Sequence, residues 1–125
     1  MRAAAVSILI VDDDASNREV LDCYLSVSYQ CTLAENAEQA IRLLEERRFS
    51  VVITDLNMPG ASGFELCHLV KQRWPETAVV IISGTNDSNC FNQAYRFGAV
   101  GYLTKPIDLV WLSLTIKHAL QDKGN

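Results

Sequence analysis

The chain has 125 residues, the size of one ordinary domain, with 49% hydrophobic and 21% charged residues. That composition excludes intrinsic disorder, and a chain this long buries roughly two thirds of the surface its unfolded form exposes. Eleven Lys and Arg against fifteen Asp and Glu give a net charge of −4, with no basic run longer than Arg47-Arg48. The phosphate-neutralising footprint of a nucleic-acid binder is therefore missing, and the chain is expected not to bind DNA by itself.

Taken in chain order, residues 7–11 form an apolar run without polar alternation, as expected of a strand buried on both faces. The preceding Met1-Arg2 and apolar residues superficially resemble a signal peptide. They run straight into Asp12-Asp13-Asp14 with no small-residue cleavage site, so a first strand is the better reading. A helix follows, with Ser16-Asn17-Arg18-Glu19 read as its capping box and Val20, Leu21, Tyr24 and Leu25 as its inward face. A weaker strand is expected near 31–34. A second helix opens at Asn36, with Ala37, Ala40, Ile41 and Leu44 on one stripe and the solvated Glu45-Glu46-Arg47-Arg48 at its end.

Residues 51–54 and 78–82 repeat the buried-strand pattern. Between them lies a helix with Leu66, Cys67, Val70 and Trp74 inward, stopped by Pro75. Met58-Pro59-Gly60 is turn chemistry. A fourth helix is expected over about 87–97, ended by Gly98. A short strand at 101–103 and a last helix over about 108–121 complete the pattern. Alternating strand and helix predict a parallel sheet of five strands with right-handed crossovers, in one domain over residues 1–125 with its ordered core at about 6–121.

In an open parallel sheet ligands bind beyond the carboxyl ends of the strands, so the strand-end residues carry the chemistry. The first strand ends in Asp12-Asp13, the third in Asp55, the fourth in Ser83-Gly84 and the fifth in Thr104-Lys105. Gathered carboxylates repel unless a cation neutralises them. All-oxygen ligation with open positions suits Mg2+ better than zinc, for which Cys23, Cys31, Cys67, Cys90, His68 and His118 make no ligand spacing. The hydroxyl and ammonium then suit a phosphoryl group, with an aspartate as nucleophile. The cysteines are expected to be reduced core filler in a cytoplasmic protein, the two histidines surface residues, and no segment is apolar for the ~20 residues a membrane span needs.

These residues, Ile8-Leu9-Ile10-Val11-Asp12-Asp13, Thr54-Asp55-Leu56-Asn57-Met58-Pro59-Gly60 with Gly63, Ser83-Gly84, and Gly101-Tyr102-Leu103-Thr104-Lys105-Pro106, resemble the receiver domain of two-component response regulators over essentially the whole chain. The resemblance implies an α/β, doubly wound, flavodoxin-like fold with strand order 2-1-3-4-5. It implies that Asp55 accepts a phosphoryl group from the phosphohistidine of a sensor histidine kinase or phosphotransfer protein. Mg2+ would be held by Asp13 directly, by Asp12 mainly through a water, by Asp55, and by the backbone carbonyl of Asn57; Asp14 is left outside that set. Ser83 and Lys105 match the residues that contact the phosphoryl group, and Tyr102 the aromatic whose rotamer follows the switch. Asn57 and Thr85 resemble the pair that tunes phosphoryl lifetime, and the Lys105-Pro106 peptide is expected to be cis. No activity is implied beyond self-catalysed phosphoryl acceptance and loss.

The expected output surface is the fourth helix, fifth strand and fifth helix. On the last helix Leu109, Leu112, Ile116 and Leu120 share the inward face, which puts Trp111, Leu114 and His118 on the opposite one. That face is expected to dock a partner, a second copy or an adjoining domain. The fourth helix, with Asn89, Asn92 and Gln93, lacks the alternating charges of receivers that dimerise to control DNA-binding domains. Two other readings use the same residues: a Mg2+-dependent aspartate-nucleophile phosphohydrolase, and a receiver-like docking module that is never phosphorylated. The first expects an aspartate where Asn57 stands. A nucleotide- or flavin-binding module would need a Gly-rich loop where Asp12-Asp13-Asp14 lies. The final Asp122-Lys123-Gly124-Asn125 fits equally a single-domain regulator and a receiver joined to a further domain.

Overall fold

Strand and helix alternate throughout the residues that the computed structural model describes, 6–84 and 88–123. In order they are β1 (Ser7–Val11), α1 (Ala15–Leu25), β2 (Gln30–Ala34), α2 (Ala37–Glu46), β3 (Val51–Asp55), α3 (Gly63–Arg73), β4 (Ala78–Ser83), α4 (Ser88–Arg96), β5 (Gly101–Thr104) and α5 (Leu109–Lys123). The five strands form one parallel sheet, as the pattern predicts, in the order β2-β1-β3-β4-β5 that the resemblance implies. The central strands are buried along their whole length, which explains their continuous Val and Ile runs.

Successive side chains on each strand face opposite sides, so the sheet divides the interior into two cores. Leu9, Val11, Val52, Val79 and Ile81 pack with α2, α3 and α4; Ile8, Ile10, Ile53, Val80 and Ile82 pack with α1 and α5. Each such side chain contributes roughly 1.5–3 kcal/mol when fully buried. α5 supplies Leu112, Ile116 and Ala119 to the second core, with Leu109 and Leu120 half-buried beside them. The inward stripe of the last helix therefore stands.

Two expectations for α1 do not. Its cap is Asp14, whose carboxylate accepts hydrogen bonds from the backbone N–H of Ser16 and Asn17, so the helix begins before the expected Ser16-to-Glu19 box. Asp14 and Ser16 are both good caps, and the earlier one wins because the chain has already turned off β1. Of the four residues read as inward, Leu21 and Leu25 are buried, whereas Val20 is 56% exposed and Tyr24 also reaches solvent. α1 packs on the sheet through the narrow stripe of Leu21 and Leu25. The capping box lies instead at Ser62 and Glu65, whose side chains and backbone N–H groups bond reciprocally at the start of α3.

Trp74 ends α3 half-buried, its ring under the Arg73 guanidinium at 4.5 Å, and Pro75 follows. Gly60 turns the chain after Met58-Pro59 with φ +85, a conformation glycine adopts without penalty. Of the cysteines, Cys67 is buried and donates to the Phe97 carbonyl at 3.4 Å, but Cys23 is exposed on α1, so it is not core filler. All four are free thiols. Among the described residues no helix is long and apolar enough to cross a membrane.

Candidate functional site

The strand order reverses its direction of growth at β1, so the loops after β1 and β3 part and leave a crevice at the carboxyl edge. Asp12 and Asp13 leave β1 at this point, and Asp55 is the last residue of β3. Asp12 is buried and tied at three atoms: its N–H donates to Ala34 O (3.1 Å), its Oδ1 accepts from the N–H of Asp14 (2.9 Å), and its carbonyl accepts from Arg18 Nη1 (2.6 Å). Asp55 is buried too, while Asp13 is exposed at the mouth. The Asp55 carbonyl accepts from Thr54 Oγ1 at 3.0 Å.

Carboxylate oxygens of Asp12, Asp13 and Asp55 lie within 4.8 Å of one another. Lys105 Nζ approaches from the other side and sits 3.2 Å from Asp55 Oδ1. Burial pushes the Asp12 carboxyl above its ordinary range; the Asp14 N–H opposes this, the negative charge of Asp55 adds to it, the Lys105 ammonium opposes it, and Asp13 adds to it. One ammonium facing three carboxylates leaves net negative charge in a partly buried crevice. An all-oxygen donor set of this kind suits a hard divalent cation, and the exposed Asp13 leaves room for water in its shell.

Backbone pairing places the remaining expected residues. Leu56 N–H donates to Ile82 O and Lys105 N–H donates to Ser83 O, each at 2.8 Å, which locks the ends of β3, β4 and β5 in one row. Ser83 is fully buried at the end of β4, and the Lys105-Pro106 peptide is cis. Tyr102 is buried on β5, its ring edge-on to Phe91 at 5.9 Å between centroids. Asn57, two residues after Asp55, is exposed. Thr85 lies outside the described residues.

On α5, Trp111 (59% exposed) and Leu114 (51%) stand out to solvent with His118, as the wheel predicts. They line a shallow hollow of about 250 Å³ with Tyr95 and Tyr102. Trp111 also borders a second hollow of about 360 Å³ with Phe91, Pro106 and Asp108. His68, also exposed, packs its ring edge-to-face with Phe97 at 5.6 Å between centroids.

Sequence reasoning passed over two residues that shape the crevice. Arg18 gave no signal, because a lone arginine on a helix reads as solvated. Gly63 appears in the motif without a reason; a Cβ there would lie 2.6 Å from the Asp55 carbonyl oxygen and 2.9 Å from Leu56 Cα, so only glycine lets α3 start against the end of β3.

With this geometry in place, comparisons with known proteins agree on one family. Residues 8–117 match the model of the response regulator receiver domain. The chain is 36% identical over 118 residues to the response regulator protein FleR of Pseudomonas aeruginosa, covering 93% of this chain and 25% of that protein. It is 33% identical over 119 residues to a cyclic di-GMP phosphodiesterase of Thermotoga maritima, covering 94% and 32%. The chain thus spans about a quarter to a third of the length of these curated relatives. The signal receiver domain of an HD domain-containing protein from Pseudomonas fluorescens superposes with a TM-score of 0.91 at 29% identity, covering 97% of this chain and 98% of that one. By the family match, the relatives and the fold together, this chain belongs to the response regulator receiver domain family.

Proposed function

We propose that Asp55 is the phosphoacceptor of a two-component phosphorelay, taking its phosphoryl group from the phosphohistidine of a sensor histidine kinase or phosphotransfer protein. The observation that carries this reading is Asp55 itself: buried, flanked by the carboxylates of Asp12 and Asp13, and paired on Oδ1 with the Lys105 ammonium. An Asp55 oxygen attacks phosphorus, the P–N bond to the donor imidazole breaks, and that nitrogen keeps the electron pair. Asp12, Asp13, Asp55 and the Asn57 main-chain carbonyl would hold Mg2+, which supplies charge neutralisation for the transferring group. In this reading Lys105 pairs with the phosphoryl oxygens, a role its 3.2 Å approach to Asp55 Oδ1 supports, and Ser83 contacts them from the end of β4.

Phosphorylation replaces one negative charge with nearly two and adds acceptor oxygens. Contacts from Ser83 and Lys105 to those oxygens exist only in the modified state, so they bias the arrangement of the loop after β4 and of the α4-β5-α5 face, with Tyr102 following. Asn57 and Thr85 set access of the water that removes the group. We place the output on Trp111, Leu114 and His118, against an adjoining domain or a second copy, and the reaction in the cytoplasm. Asn57 standing where a second aspartate is expected, and membership of a family that is not catalytic as such, disfavour the phosphohydrolase reading.

The test is intact-protein mass after incubation with acetyl phosphate, with Mg2+ and with EDTA. One added phosphoryl group that requires Mg2+, decays with time and is absent from Asp55→Asn is expected. A stable adduct independent of Asp55 would overturn the assignment, and no adduct in a folded, Mg2+-bound protein would favour the docking module.

A further inference from the structure

Asp13 is the outermost of the three clustered carboxylates, and among the described residues it takes no side-chain hydrogen bond of its own. Its position is therefore set by the main chain that carries it. From outside the loop that main chain is held at two atoms, the Asp12 N–H, which donates to Ala34 O, and the Asp12 carbonyl. Arg18, one turn into α1, folds its half-buried side chain back so that Nη1 donates to the carbonyl of Asp12 at 2.6 Å. The Asp12–Asp13 peptide is planar, so fixing its carbonyl fixes its N–H and the starting direction of Asp13. The other end of the loop is fixed by Asp14, which caps the same helix, while the Arg18 N–H donates to the Asp14 carbonyl at 3.1 Å.

We infer that Arg18 is a positioning residue for the metal site: it orients the Asp12–Asp13 peptide so that Asp13 meets the cation together with Asp12 and Asp55. The inference rests on the reading of this cluster as a Mg2+ site. Its effect is orientational rather than electrostatic. Among the described residues the guanidinium pairs with no carboxylate, and the charges acting on the Asp12 carboxyl are those of Asp55, Lys105 and Asp13. A helix-borne donor does this well because α1 is itself clamped to the sheet through Leu21 and Leu25.

Orientation and charge predict opposite signs, which makes the inference testable. Removing a cation near a cation site strengthens Mg2+ binding; removing a support for a ligand weakens it, typically by about tenfold or more. Calorimetric titration of the wild type, Arg18→Met and Arg18→Gln with MgCl2 is the experiment, with metal-free thermal unfolding run on each protein. Arg18→Met is expected to bind Mg2+ about tenfold more weakly while unfolding as a folded domain, and Arg18→Gln, a shorter neutral donor, to lie at or between the two. Binding by Arg18→Met that is unchanged or tighter than wild type would overturn the inference and leave the metal site standing. A wild type that binds no Mg2+ would overturn both. If Arg18→Met does not fold, the Arg18→Gln affinity decides: weaker supports positioning, and equal or tighter removes it.

Discussion

Lys105 Nζ lies 3.2 Å from Asp55 Oδ1, and this ammonium is the cation that the crevice supplies for itself. It faces the same net charge that Mg2+ would neutralise, so the two compete. Lys105→Met is expected to bind Mg2+ about three- to tenfold more tightly, the equivalent of ~1 kcal/mol at a partly exposed site, with the gain shrinking as salt is raised. Calorimetric titration at two ionic strengths checks this. Unchanged or weaker binding would show that Lys105 does not act on the acidic cluster by charge.

Gly63 packs against the backbone of Asp55, the proposed phosphoacceptor. Gly63→Ala sets a Cβ against the Asp55 carbonyl oxygen and Leu56 Cα, both main-chain atoms that yield only if β3 or α3 shifts. The variant is expected to lose roughly 1–3 kcal/mol in urea unfolding, the cost of overpacking, and to be phosphorylated more slowly by acetyl phosphate. Wild-type stability and rate together would show that the close approach is dispensable.

Asp14 is a cap. Asp14→Ala is expected to cost ~1 kcal/mol of stability, and Asp14→Asn, which keeps the accepting oxygen without the charge, to cost at most a few tenths. Urea unfolding of both separates the hydrogen bond from the charge; equal losses would assign the role to charge.

The parallel sheet and the acidic crevice were legible because burial on both faces writes Val and Ile runs into β1, β3 and β4, and because parallel strands deliver their last residues to one edge; the strand order came with the family resemblance. Asp12, Asp13, Asp55, Ser83 and Lys105 are legible for that reason. The start of α1 was not. Asp14 and Ser16 are both chemically able to cap, and only the direction of the chain leaving β1 decides between them. Val20 and Tyr24 fit the helical period of a core stripe, yet only Leu21 and Leu25 of α1 are buried. Arg18 acts through a main-chain carbonyl six residues back, a contact that depends on loop shape and leaves no mark in spacing.

The free thiols differ in reactivity for a stated cause. Burial pushes the Cys67 thiol up to about 11, with the Lys71 ammonium opposing weakly, whereas Cys23 is exposed on α1. Iodoacetamide at pH 8 is expected to alkylate Cys23 in the folded protein and to spare Cys67 until unfolding, as peptide mass mapping over time would read. The folded state holds the Cys67 proton above the pH at which the unfolded chain releases it. The thiol therefore draws the equilibrium towards unfolding as pH rises from about 9 to about 11. Rapid native labelling of Cys67 would contradict its burial.

The most direct measurement is the location of the transferred phosphoryl group. After brief reaction with acetyl phosphate and Mg2+, borohydride reduces an acyl phosphate to the alcohol, and peptide mass mapping identifies the residue changed. Conversion confined to Asp55, and lost when Mg2+ is chelated, is the predicted result. Conversion at Asp12, Asp13 or Asp14 with Asp55 intact, or a phosphoryl group carried by His68 or His118, would contradict it.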